Sequence, residues 1–548
     1  MSGASGVLSL LLPAAPALPC LLALLCVAPK VRRWAPAMMA LAPVPALLAA
    51  LLVPQGISPL SAPAPLRITL TLDAPGALLL GTSAVLWMAA GAYAAVYLRD
   101  DPARPRFAIW WLLTMGGSFG VFIVADLSSF YLAFALASLS AYGLVAHDDT
   151  PEARRAGALY LGLTLFGEAL LIAGFVMLAA GSPDGNPLIA DAVAGLAVSP
   201  WRDAIVALLV AGFGLKMGFV PLHVWMPIAH GVAPVPGSAV LSGIVVKAGV
   251  IGLIRFLPMD GMLSAWGAAI TTMGIVTAYY GIAIGLTQSH PKRVLAYSTV
   301  SQMGVVGAVI GAGLWSGDAA APVIAAFYAA NHILLKGAMF LAVGIAAASG
   351  ARCLWLVLAV SAVLGLSLAG LPLTGGALAK IAIKGPLGEG MAGSLLALSA
   401  AGTTMLMARF VIRLQASADG SSHRFPPLAL GAPWLALCGG ALVVPFVLFQ
   451  PVTGASLASA FSAGSLWKGL WPVALGLVAT TALAWRGPRL REIPAGDVLL
   501  LAERLAPAVS ALSEGVGRLD EGLRRWPVAG LLVLALIVAF ATALEATR

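Results

Sequence analysis

Between residues 7 and 485 the chain repeats one pattern, an apolar run of about 20 residues followed by a short polar turn. A run of that length in hydrocarbon has no water to satisfy its peptide groups, so it must close its hydrogen bonds within itself as a helix. The pattern therefore restricts the fold to an all-α, polytopic membrane protein. The runs fall at about 7–28, 35–53, 75–97, 107–126, 127–147, 156–180, 202–222, 236–258, 262–288, 291–313, 318–348, 353–386, 389–413, 428–450 and 466–485, and a sixteenth follows at 527–546. Composition agrees: 60% of the 548 residues are hydrophobic and 10% are charged, too few to clothe a soluble surface.

The formal charge of +9 does not point to nucleic acid, because the basic residues stand in short groups between apolar runs and form no basic face. They follow the positive-inside rule instead. The first run has no basic region before it and carries Lys30, Arg32 and Arg33 after it, the reverse of a cleaved signal peptide. It is expected to be the first membrane helix, with its N-terminus outside. Threading sixteen spans from there puts the basic groups at 99–106, 154–155, 292–293, 352, 413–424 and 486–491 on the same inner side as Lys30. The opposite loops, 181–200, 259–261, 314–317 and 451–465, contain no lysine or arginine. Both termini are thus expected outside a bacterial-type cytoplasmic membrane. The four cysteines, Cys20, Cys26, Cys353 and Cys438, form no CxxC pair and have no neighbouring histidines, and no Walker motif or nucleophile–base pair is present. No metal and no cofactor is expected.

Charges inside the runs carry the chemistry. Five of the eight lysines, Lys216, Lys247, Lys336, Lys380 and Lys384, lie within runs. At about 2.5–3.5 kcal/mol for one charge at a helix centre, five unpaired ammonium groups would cost on the order of 12–18 kcal/mol. They must be paired, hydrated or neutral for part of the time, and a buried lysine that exchanges protons through confined water is a proton relay. Lys216 precedes PLHVWMPIAH, which holds Pro221 and Pro227, while Lys380 follows Pro372, Gly375 and Gly376. These prolines and glycines interrupt helices, and an ionisable group beside an interrupted membrane helix marks an ion pathway. The runs also form two five-helix blocks, 107–258 and 262–413, each interrupted in its fourth helix. An odd number of helices inverts the second block relative to the first. Flanking regions are 1–106, 428–486, an amphipathic segment within 487–526 and a last span within 527–548.

The stretch AGFGLKMGFVPLHVWMPIAHGVAPVPGSAVLSGIVVKAGVIGLIRF at 211–256, with HPKRVLAYSTVSQMG from His290, NHILLKGAMFL from Asn331 and LPLTGGALAK from Leu371, carries a resemblance. It resembles the antiporter-like, ion-translocating membrane subunits of respiratory complex I, membrane-bound hydrogenases and multisubunit sodium/proton antiporters. The resemblance implies inverted repeats with broken helices, proton-transfer roles for Lys216, Lys247 and Lys380, and a central hydrophilic axis containing His332 and Lys336. It also implies partners: other membrane-arm subunits and a peripheral redox module, with protons, or Na+, as the moving ion. Two other assemblies use similar chains, the multisubunit sodium/proton antiporter without a redox partner and an inorganic carbon uptake complex. The amphipathic segment resembles a short lateral helix of the largest complex I antiporter-like subunit; the alternative is a surface linker.

Several side chains keep two readings. Lys384, near the end of its run, either snorkels to the interface or exchanges protons. His223 and His230 flank the broken segment and either cap it or load protons; the family commonly has aspartate at the position of Ile228. Tyr297 and Ser298, with Thr299, Ser301 and Gln302, either line a water chain or hydrogen-bond between helices. In FYLAFALASLSAY, from Phe130, Ala135 occupies the position where the family presents a glutamate. Glu168, the only glutamate central to a run, is expected to take over that pairing and to face Lys216 or Lys247 within about 4–6 Å. Otherwise it is protonated and satisfied by a hydroxyl such as Thr164.

Overall fold

The computed structural model describes residues 2–56, 60, 61, 68–181, 187–417, 426–486 and 491–498, and the fold below is that of the unit Met1–Ala495. The sixteenth span and nearly all of the lateral segment lie outside the described residues. The helices run in chain order as α1 (Ser2–Leu25), α2 (Ala35–Leu41), α3 (Val44–Leu52), α4 (Ala74–Tyr97), α5 (Arg104–Ile123), α6 (Leu127–Val145), α7 (Pro151–Ala179), α8 (Ile189–Ala194), α9 (Arg202–Met217), α10 (Trp225–Val232), α11 (Val235–Val240) and α12 (Lys247–Phe256). They continue as α13 (Ser264–Thr287), α14 (Pro291–Ser316), α15 (Ala321–Ala348), α16 (Ala351–Ala369), α17 (Gly375–Ala382), α18 (Lys384–Leu387), α19 (Met391–Ala416), α20 (Leu428–Thr453), α21 (Leu457–Ala460) and α22 (Ala463–Arg486).

Thirteen helices among the described residues are long and apolar enough to cross a membrane. The predicted run at 7–28 is occupied by α1. The run at 202–222 is occupied by α9, which at 16 residues is shorter than a span. One feature departs from an all-α reading: a two-residue hairpin pairs β1 (Leu60–Ser61) with β2 (Thr69–Leu70), and Leu70 bridges on to Val124.

Local chemistry sets the boundaries. Asp73, Asp126 and Thr150 cap α4, α6 and α7 by accepting hydrogen bonds from Gly76, Ser129 and Ala153 amides. Pro75 and Pro151 follow their caps in the first turn, where no intrahelical donor is needed. Burial divides the helices by role. The apolar windows of Val235–Phe256 and Pro291–Ser316 are 100% buried, that of Ala463–Trp485 only 17%, so α11, α12 and α14 form the centre and α22 the periphery. The hairpin of α13 and α14 is packed backbone to backbone: a methyl on Gly274 or Gly304 would meet the other residue's carbonyl oxygen at about 2.5 Å. At the end of α12, Arg255 binds Asp73 at 3.1 Å and donates to the Val121, Phe122 and Val124 carbonyls, tying α12 to the start of α4 and the end of α5.

Candidate functional site

Both predicted interruptions end in the same way. Gly218 closes α9 with φ of 83° and Gly370 closes α16 with φ of 95°, left-handed angles that glycine adopts without a Cβ clash. The Phe219 amide then bonds back to Gly214 O at 2.8 Å, and the Leu371 amide to Leu366 O at 2.9 Å. Trp225 Nε1 reaches from α10 to the Leu215 carbonyl at 2.9 Å, satisfying an acceptor that the break exposes. Lys216 occupies the last turn of α9, the negative end of its dipole.

Lys216 is buried, and its Nζ donates to Tyr160 Oη on α7 at 3.3 Å. Tyr160 in turn donates to the Ser138 carbonyl on α6 at 2.8 Å. The ammonium also lies 5.6 Å from the Phe134 ring centre and 5.5 Å from that of Tyr160. Glu168 stands two helical turns beyond Tyr160 on the same helix and is likewise buried, and Lys216 is the neighbouring charge that acts on it. No ion pair within 4.0 Å joins them, and Glu168 Oε1 has no hydrogen-bond partner.

The second lysine follows a π-helical turn, Leu241–Val245, that interrupts the run predicted as one helix at 236–258. A π turn adds a residue to the helical register, a device that recurs at functional sites. Here it brings fully buried Lys247 to 2.7 Å from His332 Nδ1 on α15, with a second bond to Ser242 O at 3.1 Å. One turn along α15, Lys336 donates to Leu295 O of α14 at 2.9 Å. Ser242 and Thr299 share a 2.7 Å hydroxyl contact beside the pair, and His332 Nε2 and Ser298 Oγ lack protein partners. Lys247, His332 and Lys336 therefore form one cluster.

His230, fully buried between the rings of Trp225 and Phe340, has no partner on either ring nitrogen, and α10 has no side-chain cap. That corrects the capping reading for His230; Lys336, Lys292 and Lys247 are the charges that act on it. His223 sits among Tyr280 and Tyr297, at 4.8 and 6.1 Å between ring centres.

Lys380 differs from the other lysines. It follows the second break on α17, is half-buried, and lines a cavity of about 670 Å³ between α17, α19 and α22. Lys384, Lys468 and Glu389 line the same cavity. Lys384 is exposed, and Lys468 bonds Glu389 at 3.2 Å. The site thus has a buried part at Lys216, Lys247 and Lys336 and an accessible part at Lys380. Sequence reasoning missed Tyr160, Ser242 and Tyr328, since their spacing along the chain does not announce the lysine or glutamine they meet. Among the described residues no cluster of His, Cys, Asp or Glu has metal-site geometry.

Comparison with known proteins bears on this arrangement. A family model described as NADH:quinone oxidoreductase/Mrp antiporter, TM, matches residues 124–408. Hydrogenase-4 component B of Escherichia coli is 29% identical over 291 residues, covering 50% of this chain and 43% of the relative. Na(+)/H(+) antiporter subunit A1 of Staphylococcus haemolyticus is 33% identical over 265 residues, covering 46% and 33%. The chain thus spans less than half the length of these curated relatives. Its fold is shared with a chain of the Mrp complex from Dietzia sp. (TM-score 0.75, 21% identity, 99% of this chain and 63% of the other). It is also shared with a chain of the archaeal membrane-bound sulfane sulfur reductase (TM-score 0.67, 20% identity, 87% and 99%).

Proposed function

The chain belongs to the NADH:quinone oxidoreductase/Mrp antiporter transmembrane family, and from that premise we propose that it translocates protons as a membrane-arm subunit of a multisubunit, redox-driven assembly. The observation that carries the reading is the row of ionisable side chains held inside the helix bundle: Glu168 with Lys216 and Tyr160, then Lys247 with His332 and Lys336, then Lys380 at the cavity. Each buried group has a neighbour that favours one protonation state, so a change at one alters proton affinity at the next. Protons pass along this row through the side chains and water, and leave through the cavity at Lys380. The blocks 107–258 and 262–413 act as inverted repeats, a reading supported by the matching glycine-closed breaks at Gly218 and Gly370.

The driving energy comes from a partner module, as the chain has no redox or nucleotide motif. A second reading, a subunit of a sodium/proton antiporter, is favoured by the similarity to the staphylococcal antiporter subunit. Copurifying subunits separate the two: a redox module supports the first, small antiporter subunits the second. Both termini face outward in this reading, so a reporter active only in the cytoplasm is silent when fused after Arg548; an active reporter means a miscounted span. The test of the pathway is proton uptake in vesicles holding the assembled complex. Lys216→Ala and Lys380→Ala should each abolish most pumping while the complex still assembles, and near-normal pumping would remove that lysine from the pathway.

A further inference from the structure

A polar bridge outside the lysine row crosses three helices near its middle. Gln302 on α14, buried to 1% exposure, accepts a hydrogen bond from Tyr328 Oη of α15 at 2.6 Å and donates from Nε2 to Thr403 Oγ1 of α19 at 3.2 Å. Thr403 passes its own hydroxyl proton to the Ser399 carbonyl at 3.0 Å. The bridge stands between two parts of the site. Tyr328 is one helical turn from His332, while Val305, three residues past Gln302, and Ala400, three before Thr403, line the cavity of Lys380. On the axis side Ser298 and His332 carry polar atoms that no protein group satisfies.

We propose that the Gln302 amide is a proton-blocking bolt, which separates the Lys247–His332–Lys336 cluster from the cavity at Lys380. The inference rests on the reading of the chain as a proton translocator. A hydroxyl or a water relays a proton by accepting one and releasing another. An amide divides these roles between two atoms: its oxygen only accepts and its nitrogen only donates. Handing a proton across it requires a protonated amide or an imidic acid, both far from stable at neutral pH. The flanking hydroxyls give no detour, because Tyr328 commits its proton to the amide and Thr403 commits its own to a backbone carbonyl. With the bridge closed, the axis can change protonation without draining into the cavity. Release requires the Gln302 side chain to swing aside, which makes it a positioning and gating residue.

The experiment uses the whole complex in liposomes, with a pH difference imposed in the absence of any driving reaction and its decay followed by a trapped pH-sensitive dye. Gln302→Ala should speed the decay at least tenfold, and Thr403→Val, which keeps the shape and removes the acceptor hydroxyl, should speed it severalfold. Adding Lys380→Ala to Gln302→Ala should restore slow decay, because the leak ends in that cavity. Wild-type decay in Gln302→Ala overturns the bolt, as does a leak that Lys380→Ala leaves unchanged. If Gln302→Ala does not assemble, Thr403→Val decides alone, with wild-type decay refuting the proposal. The parent reading fails separately: normal driven pumping by both single variants, Lys216→Ala and Lys380→Ala, would end it whatever the leak does.

Discussion

Replacing Tyr160 with phenylalanine removes a single oxygen that holds two groups in place. That oxygen accepts from Lys216 Nζ at 3.3 Å and donates to the Ser138 carbonyl at 2.8 Å. The ring contacts survive the change, with the Lys216 ammonium 5.5 Å and the Trp225 ring 5.4 Å from the Tyr160 ring centre. What is lost is a hydrogen bond to a charged group, about 1.5–3 kcal/mol in a typical case. If Lys216 must be held at that point to hand on its proton, the barrier rises by the same amount. At about 1.4 kcal/mol per decade, pumping then falls roughly 10- to 150-fold. The assay is driven proton uptake in vesicles, normalised to assembled complex. Phe134→Leu serves as the control, since it removes an aromatic contact with Lys216 and no hydrogen bond; it should have a clearly smaller effect. Uptake within about twofold of the parent in a normally assembled Tyr160→Phe complex would refute the reasoning.

Glu168→Gln keeps the shape of the side chain and removes its charge, so it should lower pumping at least tenfold if the carboxylate tunes Lys216; parental uptake would end that role. Outside the spans, burial pushes the Asp101 carboxyl up, but the hydrogen bond from His147, the Ala103 amide and the charges of His147 and Arg106 together bring it below the usual range. A carboxyl lowered by folding contributes stability above its unfolded value of about 4 and loses it as pH falls through the lowered one. Amide hydrogen exchange across 98–106 should therefore quicken, beyond the intrinsic pH dependence, once the pH drops below about 4. In Asp101→Asn that extra step should be missing, and its persistence there would assign the acid response elsewhere.

Much of this architecture was readable from hydropathy because membrane helices state their own length. The run at 75–97 is α4 at Ala74–Tyr97, and that at 428–450 begins α20 at Leu428. The lysines were readable for a related reason, since a charge in an apolar run is conspicuous. Their partners were not. Whether Glu168 lies beside Lys216 or Lys247 depends on which faces of α7, α9 and α12 meet, and apolar helices carry little periodicity to settle that. The π turn before Lys247 was invisible too, because LSGIV has nothing in its composition that distinguishes a π turn from an α turn. His230 misled in another way: a histidine beside a proline-broken segment suggests a cap, but its ring points between Trp225 and Phe340.

The glycine seam between α13 and α14 sets a tolerance for everything the second of these helices carries. A methyl on Gly281 would meet the Tyr297 carbonyl and the Ser301 amide nitrogen, each at 2.7 Å, so the two backbones lie about as near as side-chain-free chains allow. On its other faces α14 presents Leu295 to Lys336, Thr299 to Ser242 and Gln302 to Tyr328. The seam acts as a ruler. One methyl group on a helix that carries no Asp, Glu, His, Lys or Arg would displace that whole row by about an ångström or less, enough to lengthen hydrogen bonds whose useful range spans only about half an ångström. Gly281→Ala would then resemble a charge-site mutation in its effect, though it neither adds nor removes a polar atom.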